Sequence, residues 1–337
     1  MQEYPLHGAV WAKQLVEDLK RRGYPVHELL ARVDVHPRVL NAEDAKLPID
    51  KVVGIFEAAA DLTGDESIGF RFAQTRELRD AGLITYVGLS APTVGDALTN
   101  IARYSRVFSE AAVWDVGGLH ELGRIEWHWN LPARIRRRQH VEWSATVLVR
   151  ALRVLTGRNL GPASVQLRYP RNANLPEYEK FFGCPLRFGS SVNRIEFRLQ
   201  DLQVPLITAD SKLHKILRDH CELVLSQTRA PRETLINRVE RLIADRLSMN
   251  EAHLDVVATE LGMSTRTLSR RLAGEGTNFK EVVDNYRQAI ALEYLRNGDL
   301  GMMQIAFLLG YNEVSSLNHA CKRWTGKTPG ELRNGAA

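Results

Sequence analysis

The side chains in this sequence best suited to chemistry are arginines and small polar groups set at helical spacing. In Ser264-Thr265-Arg266-Thr267-Leu268-Ser269-Arg270-Arg271-Leu272 the two leucines recur four residues apart and define an inward face. Arg266, Ser269 and Arg270 then lie one turn apart on the outer face, Thr265 opens the same helix, and no acid occurs from Leu261 to Gly274. Arginine is the side chain whose paired N–H donors match guanine O6 and N7 in a DNA major groove. A second stretch, Val314 to Arg323, places Ser315, Ser316, His319 and Lys322 opposite Leu317 and Cys321. Its small donors and acceptors suit bases and phosphates alike. Lys322, Arg323 and Lys327 read as an acid-free patch fitted to backbone phosphates.

Catalytic and metal chemistry find no comparable arrangement. The cysteines, Cys184, Cys221 and Cys321, are odd in number and far apart, with no CxxC or Cys/His spacing. Cys184 sits in an FFGCP turn with no residue placed to activate it. No metal, no cofactor and no enzyme activity are expected. Scarce cysteine fits a reducing cytoplasm, no apolar run approaches a membrane span, and MQEYPLHGAV lacks the order of a secretory signal.

Positioning the two basic stretches requires a scaffold, and the sequence repeats one. Val257-Ala258, Leu261-Gly262, Leu268 and Leu272 are echoed by Ile305-Ala306, Leu309-Gly310, Leu317 and Cys321. An alanine four residues before a glycine, then an apolar anchor, is the pattern of a helix-turn-helix. Alanine permits close helix approach and glycine allows φ > 0 in the turn. Asn278 to Arg296 reads as a helix joining the two units, capped by Asn278 and Glu281. Its 19 residues span about 28 Å, close to the roughly 34 Å between successive major grooves. A helix Glu233–Leu247 precedes the first unit, and a capped helix starting at Thr328-Pro329-Gly330-Glu331 follows the second.

The preceding sequence is mixed. Helices are expected over Val10–Lys20, Ile49–Thr63 up to Gly64, Thr93–Phe108 with Thr93 as N-cap, 139–156, 175–182 and 211–225. Ala112–Val116 and Glu121–Asn130 form an expected hairpin around Gly117-Gly118, with Ile125, Trp127 and Trp129 on one face. Ser164–Tyr169 and Arg194–Leu199 alternate as strands. The run Arg134, Arg136, Arg137, Arg138 reads either as an anion site or, preferably, as a solvated patch at a helix start. The 337 residues therefore divide into an α+β amino-terminal effector or dimerisation domain (1–225), a polar linker (226–232), and an all-α carboxy-terminal domain (233–337) with two helix-turn-helix units. The formal charge is +5, yet from Glu233 onward 13 basic residues meet 13 acidic ones, so net charge alone says nothing of DNA.

On LGMSTRTLSRRLAGEGTNFKEVV, IAFLLGY and KRWTGKTPGELR the carboxy-terminal hundred residues resemble the AraC/XylS family of bacterial transcription regulators. Leu317 and Cys321 stand where that family often has Phe, and His319 where many members have Arg, so base preference does not carry over there. APTVGDALTNIARYSRVF and PEYEKFFGCPLRFG resemble the arabinose-binding-like effector domain of the ornithine- and virulence-regulator branch, over roughly 83–225. The resemblance implies a homodimeric regulator, more an activator than a repressor. Its partners would be double-stranded DNA, an unidentified small-molecule effector and RNA polymerase. Two alternatives remain open: a constitutive regulator whose amino-terminal domain only dimerises, and an enzyme domain fused to a DNA-targeting module.

Overall fold

The structure, a computed structural model, describes residues 4–42, 44–171, 173–227, 234–296 and 300–334. The chain forms two compact units. One comprises Met1–Asn130, Arg137–Arg168 and Asn174–Pro231, the other Leu131–Arg136, Tyr169–Ala173 and Arg232–Ala337. The expected linker 226–232 lies outside the described residues from position 228 on.

The first unit is α+β. Strands β1 (Leu6–Gly8) and β2 (Lys46–Pro48) pair antiparallel as a small separate sheet. Strands β3 (Ala112–Asp115), β4 (Arg124–Trp129), β5 (Ser164–Gln166), β6 (Leu186–Arg187) and β7 (Asn193–Glu196) form a five-stranded sheet in the order β3-β4-β7-β5-β6. Among the described residues only the β5–β6 pair is parallel. Alternation along β4 buries Ile125, Trp127 and Trp129 and leaves Arg124, Glu126 and His128 partly exposed, as the period of two requires.

Two helices dominate this core. Ile49–Thr63 is buried over most of its circumference through Val52, Val53, Ile55, Phe56 and Ala59, and it stops at Gly64. Arg138–Thr156 is longer still and buries fourteen of its nineteen residues. Gln139 ties this helix to its neighbours: its backbone N–H donates to Glu57 Oε1 (2.8 Å), and its side-chain Oε1 accepts from the Gly69 N–H (3.0 Å). The cap at Val94–Phe108 is as expected. Thr93 Oγ1 accepts from the Asp96 N–H at 3.2 Å and donates to its carboxylate at 2.7 Å.

Three expectations need correcting here. The β3–β4 hairpin exists, but not around a Gly117-Gly118 turn. Leu119 is fully buried and draws Leu119–Leu122 into a short helix before β4 begins. The arginine run is not a solvated patch at its helical end, because Arg138 is only 3% exposed and pairs with Glu66. Finally, β1, β2 and β6 are additional to the expected strands, and those expected at 164–169 and 194–199 are shorter, Ser164–Gln166 and Asn193–Glu196.

The second unit is all helical over its described residues. Leu235–Arg246 precedes a first helix pair, Leu254–Glu260 and Thr265–Gly274. The long helix Phe279–Arg296 leads to a second pair, Met302–Leu308 and Val314–Thr325, and Pro329–Asn334 closes the unit. Both pairs share a single core. Val257, Leu268 and Leu272 from the first and Ile305, Leu309, Leu317 and Cys321 from the second pack with Val282, Val283, Tyr286 and Tyr294 of the long helix. Each fully buried leucine contributes about 2 kcal/mol by the area it removes from water. Val239 and Ile243 of Leu235–Arg246 complete the cluster. The two helix pairs are thus branches of one packed body.

Candidate DNA-binding interface and an amino-terminal cavity

Each helix pair is built by the same local rules. In the first, Gly262 takes φ +65° between the helices, and in the second Gly310 takes φ +71°. The surroundings of the two glycines differ. Around Gly262 a Cβ would meet nothing within 4 Å, whereas at Gly310 it would lie 2.3 Å from the Leu247 carbonyl oxygen. The second turn is also held by Arg287, whose Nε donates to the Leu309 carbonyl at 2.9 Å while its guanidinium stacks 4.7 Å from the Tyr311 ring centroid. Ser264 caps the first reader helix, its Oγ accepting from the Thr267 N–H at 3.2 Å. The reciprocal cap of the joining helix is present too, with Asn278 Oδ1 accepting from Glu281 N–H and Glu281 Oε2 accepting from Asn278 N–H.

With Leu268 and Leu272 anchored at 0% exposure, the rest of Thr265–Gly274 is directed outward. Thr265, Arg266, Ser269 and Arg270 are all exposed. Among the described residues Arg266 and Arg270 form no ion pair, so both guanidinium groups retain their donors. In the second reader helix Ser315, His319, Lys322 and Arg323 are exposed and Ser316 is half-buried. Cys321 is core, and burial raises its thiol pKa to about 11, which keeps it protonated and unreactive.

The patch at the end of this helix departs from its expected character. Arg323 is committed to Asp284 of the joining helix, its Nη2 donating to both carboxylate oxygens at 3.1 and 3.0 Å. Glu331 lies beside it as well. Hydrogen bonds from Thr328 hold that carboxyl below its ordinary range, assisted by Lys322 and Lys327. Lys322, Arg323 and Lys327 are therefore not acid-free. The acids are Asp284, 39 residues earlier on the joining helix, and Glu331 of the helix Pro329–Asn334. Lys322 remains the unpaired cation of the second reader among the described residues.

The first unit contains a feature that the reading of single motifs missed. A cavity of about 160 Å³ opens between β1, β3, β4 and the helix Arg138–Thr156, walled by Trp11, Trp114, Trp129 and Trp143. His7 and His140 also line it, their ring centroids 5.3 Å apart, although they are separated by most of the unit in sequence. Burial holds both imidazoles neutral. It depresses the His7 pKa to about 3, with Lys46 adding to the effect, and lowers that of His140 well below the ordinary value, with His7 adding.

Among the described residues no group of side chains is suited to hold a metal ion, and no helix is long and apolar enough to cross a membrane. Residues 23–206 match the family model described as the arabinose-binding domain of AraC transcription regulator, and residues 257–335 match a helix-turn-helix domain model. The HTH-type transcriptional regulator VirS of Mycobacterium tuberculosis is 30% identical over 306 residues, 90% of this chain and 89% of that protein. The ornithine utilization regulator of Pseudomonas aeruginosa is 27% identical over 326 residues, covering 96% and 95%. Among solved structures, the transcriptional regulator CdpR from Pseudomonas aeruginosa aligns over 92% of this chain and 96% of its own, with 23% identity and a TM-score of 0.42.

Proposed function

The chain belongs to the AraC family of transcription regulators, and from that premise we propose that it is an effector-controlled activator whose two reader helices occupy successive major grooves of one operator. It is a DNA-binding transcription regulator with an arabinose-binding-like amino-terminal domain. The finer reading concerns which residues touch DNA and what controls them.

The observation that carries it is the first reader helix, where Arg266 and Arg270 are exposed and unpaired among the described residues, on the face opposite two fully buried leucines. That geometry supports a division of labour. Thr265, Arg266, Ser269 and Arg270 read bases, while Ser315, Ser316, His319 and Lys322 set the second helix on its groove, mainly through backbone contacts. The joining helix of 18 residues spans about 27 Å at ~1.5 Å per residue, compatible with readers one helical turn of DNA apart.

Control and assembly complete the proposal. The helix Ser211–Gln227 exposes Leu213, Ile216 and Leu223, an apolar stripe that a second copy of the chain would cover to form a homodimer. The dimer acts in the cytoplasm, binds a small molecule through the first unit and recruits RNA polymerase. Sedimentation of the intact chain tests the dimer, and a purely monomeric protein on and off DNA would remove it. Transcription from a reconstituted promoter tests activation. For the DNA contacts, Arg266→Ala and Arg270→Ala should each weaken binding to a selected operator by about 1–3 kcal/mol and relax base preference at one position. Unchanged affinity and preference in both variants would sink the assignment of the first helix as the base reader.

A further inference from the structure

The arginine run that begins at Arg134 divides between the two units. Leu131–Arg136 belongs to the second, far ahead in sequence of that unit's main stretch from Arg232, and Arg137 returns the chain to the first. A segment held by a body it does not adjoin in sequence needs interactions to keep it there, and this one makes them with two helices.

Locally the segment is a turn. The Pro132 carbonyl accepts from the Ile135 N–H at 3.1 Å, which puts Ala133 and Arg134 at the corner. The Ala133 N–H donates to Glu240 Oε2 at 2.7 Å, and the Ala133 side chain packs on the core of the second unit. Three residues on, Arg136 Nε lies 3.5 Å from Glu293 Oε1.

Both partners are buried carboxylates, Glu240 at 6% exposure and Glu293 at 5%. Carboxylates at such depth persist where hydrogen bonds and cations compensate the lost water. Glu293 also has Arg296 of its own helix at 3.8 Å. That pair lies within one helix and positions nothing outside it, whereas the pair with Arg136 joins two segments.

Where the two acids sit decides what the segment does. Glu240 is on Leu235–Arg246, which packs against both helices of the first pair and against the joining helix. Glu293 is in the last turn of the joining helix, shortly before the second pair begins at Met302. One short turn thus ties the helix behind the first reader to the end of the helix from which the second departs.

We propose that Leu131–Arg136 is a positioning strap for DNA recognition: through Ala133 on Glu240 and Arg136 on Glu293 it fixes the separation of the two reader helices. The inference rests on the two-groove reading given above. Contacts organised in advance gain affinity by cutting the cost of ordering on binding. That cost falls only on a site that engages both readers at once.

The experiment uses the intact chain and two labelled duplexes, the selected operator and the same operator with about five base pairs inserted between the groove contacts. Affinities are read by fluorescence anisotropy, and thermal midpoints are measured alongside. Arg136→Ala and Ala133→Pro each release one end of the strap. Proline suits the second position of such a turn and removes the N–H without changing charge. Each variant should bind the selected operator about threefold or more weakly, the scale of one hydrogen bond or ion pair. Binding to the spaced operator should stay parental. Arg136→Lys keeps a cation within reach of Glu293 and should restore the parental ratio of the two affinities.

Salt dependence separates positioning from contact. With Arg136 acting through Glu293, the slope of log affinity against log salt stays parental in Arg136→Ala. A slope flattened by about 0.9 makes Arg136 a phosphate contact and overturns the strap. Equal losses on both operators, or a lower thermal midpoint with an unchanged ratio, reduce the segment to a structural role and overturn it too. Should Arg136→Ala not fold, Ala133→Pro carries the same comparison. A parent that does not distinguish the two operators removes the two-groove reading and the strap with it. A parent that distinguishes them, with variants that match it, removes the strap alone.

Discussion

The ion pair between Arg323 and Asp284 makes a prediction that separates geometry from residue counting. Arg323 stands in the last turn of the second reader helix, where a sequence inventory adds it to the cations available for phosphate. Its Nη2 instead donates to both oxygens of Asp284, with side-chain exposures of 58% for the arginine and 26% for the acid. The pair is close to neutral as seen by DNA. Asp284→Asn should free one cation at the groove edge. A surface pair of this kind is worth about 0–1 kcal/mol to stability, so the fold should survive the change. Each phosphate neutralised contributes about 0.9 to the slope of log affinity against log salt. The variant should therefore steepen that slope by about 0.9, and between 50 and 200 mM salt it should lose about 3.5-fold more affinity than the parent. Lys322→Ala should flatten the slope by a similar amount. The double change Asp284→Asn with Arg323→Ala removes a neutral pair and should leave the parental slope. The assay is fluorescence anisotropy with a labelled operator at four or five salt concentrations. If the double variant flattens the slope as Lys322→Ala does, Arg323 is already on a phosphate in the complex and the pair opens on binding, which refutes the reasoning.

Two further outcomes follow from the structure. Gly262→Ala should cost about 1–2 kcal/mol, the ordinary penalty of left-handed backbone for an L-residue, because space is open there. Gly310→Ala meets the Leu247 carbonyl as well and should cost at least about 3 kcal/mol; similar unfolding midpoints for the two variants would contradict this. The buried histidines predict acid sensitivity of the first unit. Their folded-state pKa values lie below that of an unfolded histidine, so the unfolded state takes up more protons as pH falls below about 6.5. Stability present at pH 7 is lost on acidification, by about 2 kcal/mol at pH 5 for His7, whose folded pKa is about 3. His140 acts in the same direction. Urea midpoints at pH 7 and pH 5 check it, and His140→Phe should show the smaller drop.

What could be read from the sequence follows from how local each signal is. The reciprocal caps Thr93 with Asp96, Asn278 with Glu281 and Thr328 with Glu331 are contained within four residues, and all three form. The inward and outward faces of Thr265–Gly274 follow from one helical period, and the exposures agree. Strands β1 and β2 have three residues each and exist through pairing across about 40 residues of chain, so no window shows their period. The cavity is the extreme case. His7 reads as an isolated polar residue near the start of the chain and His140 as one position in a long helix, and only folding brings their rings to 5.3 Å. The pairing of Arg323 is hidden from sequence for the same reason, since its partner Asp284 lies on another helix.

The neutral balance of the carboxy-terminal residues and the shared core point the same way about how specificity arises. A strongly basic domain would gain most of its affinity from phosphates at any site. Here the basic and acidic residues cancel in number, and one of the candidate phosphate contacts is neutralised locally. On the reading proposed above, the surplus at the operator comes from a few placed side chains, with Arg266 and Arg270 foremost. Their value depends on arriving together with the second helix. Both reader helices are packed through Leu268, Leu272, Leu317 and Cys321 into one body with the joining helix. Rotating one relative to the other would open that core at about 2 kcal/mol for each leucine exposed. A site with the right half-elements at the wrong spacing would therefore engage one reader and forfeit the other. Spacing becomes part of the recognised sequence, and inserting half a helical turn, about five base pairs, between the two groove contacts should reduce affinity to that of the first reader helix alone.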